Sequence, residues 1–357
     1  MISVPREDSV TLTPTAPSLT DIPFGARGPL SSALLDRFAG DVTPLPGDVT
    51  PLPAAPAGGD VLADDDVQLT LFLLYAAAYG SLPGIPAEME WDLELLALRA
   101  DLEARFEAEL RARIPVPELP AATRDAVASA LFALTSADAG PSLSRHLAKK
   151  ATLDQAREFL ILRSVYTLRE ADPHSWAIPR LTGRAKAALV EIQADEYGGG
   201  RADRVHAEIF AKAMRGAGLD ATYGRYVDDV PVPVLTSLNM MSMFGLNRRL
   251  VGAIVGHLAA FEMTSSIPNR LYAEGLRRLG FDDEVTDYFD EHVEADAVHE
   301  QIAGRDLAGS LAEDRPELLA DILWGAAACL EIDGAVGGHA LARWSEGGSA
   351  LRSHDDA

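Results

Sequence analysis

The residues best suited to bind a metal lie in one acidic stretch near the carboxyl end of the chain, which holds His292, Asp296 and His299. At about 100° per residue on a helix, these three positions fall within roughly 60° of one another. Two imidazoles and a carboxylate would therefore form one stripe, which is a candidate set of metal ligands. The alternative is an ordinary solvated helix face, because Glu291 and Glu294 lie in the same stretch.

A second candidate pair, Glu196 and His206, flanks three consecutive glycines at 198–200. If one helix continued through the glycines, the two side chains would lie within about 80° of each other and nearly three turns apart, a spacing that suits two adjacent metals. Three glycines cost a helix about 2–3 kcal/mol relative to alanine, so either the helix breaks there or close packing compensates. In the alternative interpretation, Glu196 ends one helix and His206 lies on the surface of the next.

Two further carboxylates lie in apolar segments. Glu262 follows a run of small and apolar residues that begins at Val251. Burying an unpaired carboxylate costs several kcal/mol, so an inward-facing Glu262 must be protonated, paired or bound to a cation; otherwise it marks a polar edge turned to water. Glu170 is another candidate ligand, although it would pair equally well with Arg163, two turns back. His257 lies about 140° around the helix from Glu262 and is predicted to be a core residue or an outer-sphere residue.

The candidate ligands are oxygen and nitrogen atoms, which suit iron or manganese. With Cys329 as the lone cysteine, the chain cannot form a thiolate-rich structural zinc site. A ferritin-like bundle uses Glu-x-x-His on two helices, whereas this chain offers Asp203-Arg-Val-His206 and Asp296-Ala-Val-His299. This departure argues against ferritin topology and leaves a two-metal centre open.

The segments that must position these residues are predicted to be helices. From Asp64 onward, apolar residues recur at three- and four-residue spacing, and strand signals are nearly absent, so the predicted fold class is all-α. The predicted helices cover roughly 65–80, 90–114, 119–136, 141–171, 176–197, 201–217, 233–265, 267–279, 283–310 and 315–334. Breaks or kinks are expected at the glycines at 198–200, at the prolines at 231 and 233, at Pro268 and at the glycines between 334 and 338.

The first 60 residues are of a different kind. They are rich in Pro, Thr, Gly and Asp and contain a tandem copy that begins at Asp41 and again at Asp48. Repeated X-Pro bonds prevent helix and sheet pairing, so residues 39–60 are predicted to be an extended linker, and the segment 27–38 a short helix docked on the body. We therefore divide the chain into a Pro-rich arm and linker (1–60), auxiliary N-terminal helices (61–139), a core (140–345) and a disordered tail (346–357).

Composition excludes several classes of protein. The 54 acidic and 31 basic residues give a formal charge of −23, which argues against nucleic acid and anionic lipid as partners. The longest unbroken apolar run, residues 71–79, is too short to span a bilayer. The N-terminus shows no secretory pattern of a charged region before an apolar core, so we predict a cytoplasmic location without a membrane partner.

With these features in place, the chain resembles the haem-oxygenase-like diiron oxidases, an all-helical family of non-haem enzymes also described as iron-containing redox enzymes. The resemblance spans roughly residues 140–345. It rests on the ordered series of Glu170, Glu196 with His206 ten residues later, Glu262 on an apolar helix, and His292-x-x-x-Asp296-x-x-His299. The Asp195-Glu196-Tyr197-Gly198 string and the Arg27-Gly-Pro-Leu-Ser31 segment add to it.

This resemblance implies a haem-oxygenase-like helical bundle with an additional N-terminal helical layer. It also implies two Fe(II) ions, with O₂ as cosubstrate. The ligands that it carries over are Glu170, Glu196, His206, Glu262, His292, Asp296 and His299. A carboxylate-rich reduced centre can activate O₂ while apolar walls keep water out.

The implied reaction is the O₂-dependent oxidation of a small amine- or amino-acid-derived metabolite in specialised metabolism, by N-oxygenation or oxidative C–C cleavage. Tyr197, Tyr223, Tyr226 and Asn247 offer polar handles for such a substrate. An external reductant and a homodimer are compatible with this role. The alternatives are a metal-free or haem-binding protein of the same fold that acts in cofactor processing or as a binding module, and a purely structural bundle whose 292–299 stripe faces solvent.

Overall fold

The computed structural model describes residues 24–40, 52–53, 58–137 and 142–353, except for the side chains of residues 294–297. Within these residues the regular structure is helical and no strand occurs, which confirms the predicted all-α fold. The helices are α1 Pro29–Ala39, α2 Asp65–Tyr79, α3 Leu93–Arg113, α4 Arg124–Thr135, α5 Leu143–Lys149, α6 Leu153–Thr167, α7 Asp172–Ser175, α8 Gly183–Glu196, α9 His206–Gly216, α10 Val232–Leu246, α11 Val251–Arg278, α12 Asp283–Gln301, α13 Ser310–Asp314 and α14 Leu319–Ser345. A π-helix, Ile302–Gly309, joins α12 to α13.

The long helix α11 lies at the centre of the bundle and packs against α5, α12 and α14. Its contact with α14 is close because both helices have a glycine at the crossing. A Cβ atom on Gly256 would overlap the backbone of Ile322, and one on Gly325 would overlap the backbone of Ala253. Small residues at a crossing let two helix axes approach, so these glycines fix where α11 lies and hence where its side chains point.

The predicted N-terminal layer is built around α2, which is apolar on every side and is buried from Val67 to Ala77 between α10, α1 and α3. A helix that is hydrophobic all round must be covered on all faces. Asp66 attaches α1 to it: the Asp66 carboxylate accepts the backbone N–H groups of Leu30 and Ser31, each at 2.8 Å. The predicted docking of the segment 27–38 is therefore confirmed.

Several predicted helix boundaries are wrong. Helix α11 continues through Pro268, and α14 runs to Ser345 through Gly334 and its neighbours. A buried helix keeps its path when packing on several sides outweighs the roughly 3 kcal/mol cost of an interior proline. Conversely, the predicted helix 141–171 is divided into α5 and α6, because Thr152 caps the start of α6 by accepting the Gln155 N–H at 3.2 Å. The predicted helix 233–265 is likewise divided, between α10 and α11.

The chain has a defined structure beyond residue 346, although the disordered tail is predicted to begin there. Ala350 is buried, and its N–H donates to Glu158 Oε2 at 2.8 Å. The polar composition of this segment does not indicate this contact, because the contact is made by the small side chain of Ala350 and by its backbone N–H. Residues 354–357, most of the linker and the predicted boundary near 139 lie outside the described residues, so the proposed division into domains stays a prediction.

One helical stretch of the described chain, Arg248–Arg278, is long and apolar enough to cross a bilayer by length and composition alone. Of its most apolar 18-residue window, 67% is buried inside the protein. This segment contains no long unbroken apolar run, because His257 and Glu262 interrupt it. Its burial is that of a core helix.

Candidate metal centre

Four of the predicted ligands converge on one buried point. Glu170, Glu196, His206 and His292 each offer one ligand atom, and these four atoms all lie within 4.8 Å of one another. We call these four residues the first ligand group. They come from the turn after α6, the end of α8, the start of α9 and the middle of α12.

The glycine-rich turn brings Glu196 and His206 together. Helix α8 ends at Glu196, the three glycines adopt φ values of +69°, +60° and +83°, and α9 begins at His206. Left-handed backbone of this kind is readily adopted by glycine. The chain therefore folds back, and Glu196 Oε2 lies 3.2 Å from His206 Nδ1. The prediction that the helix breaks at the glycines is confirmed, and both side chains are buried rather than on the surface.

Tyr288 orients two members of the first ligand group. Its hydroxyl donates to Glu170 Oε2 at 2.7 Å, and its backbone carbonyl lies 2.7 Å from His292 Nδ1. Because a carbonyl only accepts, Nδ1 carries the proton and leaves the lone pair of His292 on Nε2, 3.9 Å from Glu170 Oε1. Histidines that bind metals commonly have such an outer-sphere acceptor. The alternative pairing of Glu170 with Arg163 is not present: no ion pair joins these two described residues.

The remaining predicted ligands form a second ligand group, Glu262 and His299, on α11 and α12. His299 Nδ1 lies 3.4 Å from Glu262 Oε2, and both side chains are buried. On its other side, His299 Nε2 lies 2.9 Å from Asp195 Oδ2. This contact favours the tautomer in which Nε2 donates to Asp195 and Nδ1 is free to face Glu262. Asp296 lies in α12, but its side chain is outside the described part of the chain.

The two groups adjoin. A small void of about 30 Å³ is lined by Glu170, Glu196 and His292 of the first group and by Glu262 of the second. The burial of His292 and His299 also shows that the alternative of a solvated face was wrong for these two positions. The assignment of all these residues as iron ligands stays a prediction, which their convergence supports.

The ligand atoms fit a cation because, among the described residues, several of them have no hydrogen-bond partner outside the two ligand groups. Glu170 Oε1, Glu196 Oε2, His206 Nδ1 and His299 Nδ1 are buried atoms that make no well-aligned hydrogen bond, and the short contacts of Glu196, His206 and His299 are with other members of the two ligand groups. Buried polar atoms in proteins are rarely left unsatisfied, and each orphan costs about 1–3 kcal/mol. Four orphaned carboxylate and imidazole atoms that point into one region match the oxygen and nitrogen ligands preferred by iron.

The charges within the first ligand group show which proton a metal must displace when it binds. Burial raises the pKa of Glu170 to about 8, and the charge of Glu196 adds to this shift. Burial would also raise the pKa of Glu196, but the neighbouring histidines, above all His206, lower it to about 2. For His206, burial would lower the pKa, but Glu196 raises it to about 9. Metal binding therefore has to displace the His206 proton, because only a neutral imidazole is a ligand.

Sequence reasoning missed three residues around the site. Asp195 and Tyr288 orient histidines, and His174 lines the small void and lies with its Nε2 3.2 Å from His257 Nδ1. Burial lowers the pKa of His174 to about 4, so this pair is neutral. The signal for Tyr288 was its position four residues before His292, on the same helix face. The assignment of His257 to the core is confirmed by its burial.

Two larger cavities flank the centre. One of about 370 Å³ is lined by Glu170 and Glu196 together with Tyr197 and Tyr223. The other, of about 660 Å³, shares Phe261 with the small void and lies between α6, α11 and α14.

Of the four predicted polar handles, two lie away from the ligand groups. Asn247 donates to Glu103 Oε2 at 2.9 Å, and the Tyr226 hydroxyl accepts the Asp220 N–H at 2.9 Å. Their expected contact with a substrate has no support from their positions. Tyr197 and Tyr223 remain beside the centre.

The fold and the site thus define a helical protein with a buried cluster of carboxylates and imidazoles suited to iron. Residues 157–334 match the sequence profile of a family described as iron-containing redox enzymes. This segment includes all seven predicted ligands. The chain belongs to this family.

A named relative is the nitrosourea synthase of Streptomyces achromogenes subsp. streptozoticus, which is 30% identical over 159 residues. The alignment covers 44% of this chain and 34% of the relative, so the chain spans about a third of that enzyme's length. Two crystal structures of a CADD-like protein of unknown function from Nostoc punctiforme PCC 73102 are also similar, each at 15% identity. Their TM-scores are 0.46 and 0.41, with 59% and 65% of this chain covered and 91% and 94% of theirs.

Proposed function

We propose that the protein is a non-haem oxygenase that uses two Fe(II) ions and O₂ to oxidise a small amine- or amino-acid-derived metabolite. The observation that carries the proposal is the convergence of orphaned carboxylate and imidazole atoms from two adjoining ligand groups. Membership in a family of iron-containing redox enzymes supports iron over other metals. The relative named as a nitrosourea synthase supports oxidation at nitrogen over C–C cleavage.

In this proposal, one iron is held by Glu170, Glu196, His206 and His292, and the second by Glu262 and His299. Asp296 would complete the second set. When bound, a pair of ferrous ions supplies the electrons for reaction with O₂.

The protein's own residues prepare the site. Tyr288 holds Glu170 and His292 in place through its hydroxyl and its carbonyl, and Asp195 orients His299. Leu258 and Phe261 form the apolar wall of the small void, where they exclude water from the ligands. The 660 Å³ cavity has the volume of a site for a small molecule. We further propose an external reductant, a cytoplasmic location and a homodimer.

An anaerobic Fe(II) titration of the full chain, with metal analysis and O₂ uptake, tests the proposal. We expect about two irons per chain, since two ligand groups are present. We also expect O₂ consumption that the iron-free protein lacks. A Soret band in the protein as isolated would favour the haem-binding alternative. Binding of no iron at all would contradict the proposal.

A further inference from the structure

The cavity of about 660 Å³ contains a cationic side chain that the proposed chemistry does not use. Arg163, on α6, lines both this cavity and the small void beside the ligands. Its guanidinium therefore lies between the cavity and the ligands, where it would contact a substrate bound next to the centre. The same two spaces share Phe261 and Asn269.

The Arg163 guanidinium makes no ion pair with a described carboxylate, although Glu170 and Asp333 lie near enough for their charges to act on it. Its Nε atom is buried without a hydrogen-bond acceptor, and no described carboxylate forms an ion pair with it. Its neighbours are aromatic: the centroids of Tyr166 and Tyr272 lie 5.1 and 5.7 Å from its central carbon. Aromatic rings stabilise a cation through their faces, but they do not accept the five N–H bonds of a guanidinium in its plane.

Neither of the two acidic residues that line the cavity forms an ion pair with Arg163. Asp333 accepts a hydrogen bond from Ser237 Oγ at 3.1 Å, and Glu331 is exposed at the cavity wall. Guanidinium prefers a planar, bidentate anion, and a carboxylate has that shape. An unpaired guanidinium at the wall of a cavity is thus complementary to a carboxylate brought by a ligand.

A second buried polar atom without a hydrogen-bond partner lies in the same cavity as Arg163. The side chain of Asn269, on α11, is 3% exposed, and its Oδ1 has no hydrogen-bond partner. An amide oxygen accepts from an N–H donor, which an amine provides. The two groups together offer one donor set for an acid and one acceptor for an amine.

We infer that Arg163 binds the carboxylate of the substrate in the 660 Å³ cavity, and that the substrate is therefore an amino acid rather than a simple amine. This inference rests on the proposed function, since it places the ligand next to the iron centre. It narrows the substrate class from amines and amino acids to compounds that carry both groups. Arg163 is a binding residue, because it supplies no electron or proton to the reaction.

Matched pairs of ligands provide the test. L-Norleucine, L-lysine and L-phenylalanine are each compared with the amine that results from their decarboxylation, by calorimetric titration of the Fe(II)-loaded full chain under nitrogen. We expect at least one amino acid to bind about tenfold or more tightly than its paired amine, because a charge-assisted hydrogen bond is lost with the carboxylate. No carboxylate-dependent binding across the three pairs would overturn the inference.

Variants then assign the effect to one residue. Arg163→Gln should reduce the affinity for the amino acid to that for the amine and leave the amine unchanged. Arg163→Lys should retain part of the preference, because it keeps the charge but loses the bidentate geometry. It also keeps the test open if the Gln variant does not fold. Arg145→Gln, an exposed arginine on α5, is the matched control and should change neither affinity. Equal losses for acid and amine in both Arg163 variants would overturn the inference.

Metal analysis of each protein separates this inference from the proposed function. If the wild-type chain binds two irons and consumes O₂ but shows no dependence on Arg163, the inference is wrong and the proposed function stands. If the chain binds no iron yet discriminates acid from amine through Arg163, the proposed function is wrong and the carboxylate site stands.

Discussion

The two ligand groups are built in different ways. The first group draws Glu170, Glu196, His206 and His292 from four elements, and its four ligand atoms are buried within 4.8 Å of one another. In the second group, Glu262 and His299 come from the two long helices α11 and α12. The outer partner of His299 there is Asp195, whose side chain is 60% exposed.

This difference predicts unequal metal affinities. When the ligand atoms already converge, metal binding requires little rearrangement and costs little free energy. A set with fewer ligand atoms in place and an exposed outer partner must rearrange more, so the cost is larger. The π-helix that follows α12 starts three residues after His299, and such segments are frequent at functional sites. We therefore expect the first group to load iron at lower concentrations than the second.

The largest expected effect comes from His206→Ala. It removes a ligand from the first group, so the affinity for the tighter iron should fall by about 100-fold or more, at least as much as the loss of an outer-sphere partner. Fe(II) titration with metal analysis measures this. If the first iron still bound with unchanged affinity, the four-residue convergence would not be a metal site.

Glu262→Ala should remove the weaker iron and retain the tighter one, with the helical fold preserved. The reason is that only the second group loses a ligand. The stoichiometry in an Fe(II) titration should fall from about two to about one. His257→Ala, on the same helix but paired with His174, is the control and should keep both irons. Loss of both irons in Glu262→Ala would show that the two groups do not act separately.

Tyr288→Phe should weaken the tighter iron by about tenfold while leaving the weaker one unchanged. The ring remains to pack against Phe210 and Phe289, so only the hydrogen bond to Glu170 is lost. Competition with a chelator, followed by metal analysis, resolves a change of this size. An equal weakening of both irons would place Tyr288 outside the first group's support.

Gly198→Ala should have the smallest effect on iron and a measurable effect on stability. A Cβ there would lie 2.6 Å from the backbone of Arg204 and Val205, which would disturb the turn that places His206. We expect a loss of about 1–3 kcal/mol in the free energy of unfolding. In Gly199→Ala, the same left-handed backbone faces open space, so the loss should be close to 1 kcal/mol. Urea unfolding of the two variants compares them, and equal losses would exclude the overlap as the cause.

The all-α fold class and the main candidate residues could be predicted from the sequence, because both depend on the local spacing of residue types. The stripe of His292 and His299 followed from the 3.6-residue period, and the break at 198–200 followed from glycine's cost in a helix. The helix ends were harder to predict. Pro268 and the glycines near 334 signal breaks locally, yet α11 and α14 pass through them, because buried residues on both sides of each break signal hold the helix in place.

The sequence by itself determined which atoms are available to a metal: carboxylates and imidazoles, with a single cysteine. Only the tertiary structure decided which of them share a point, and in which pairs. The separation of Glu196 from His206 shows why. Along a continuous helix they would lie nearly three turns apart, but the left-handed glycines reverse the chain and bring their atoms to 3.2 Å. Distances across a fold depend on the whole path of the backbone, whereas the chemistry of each side chain does not.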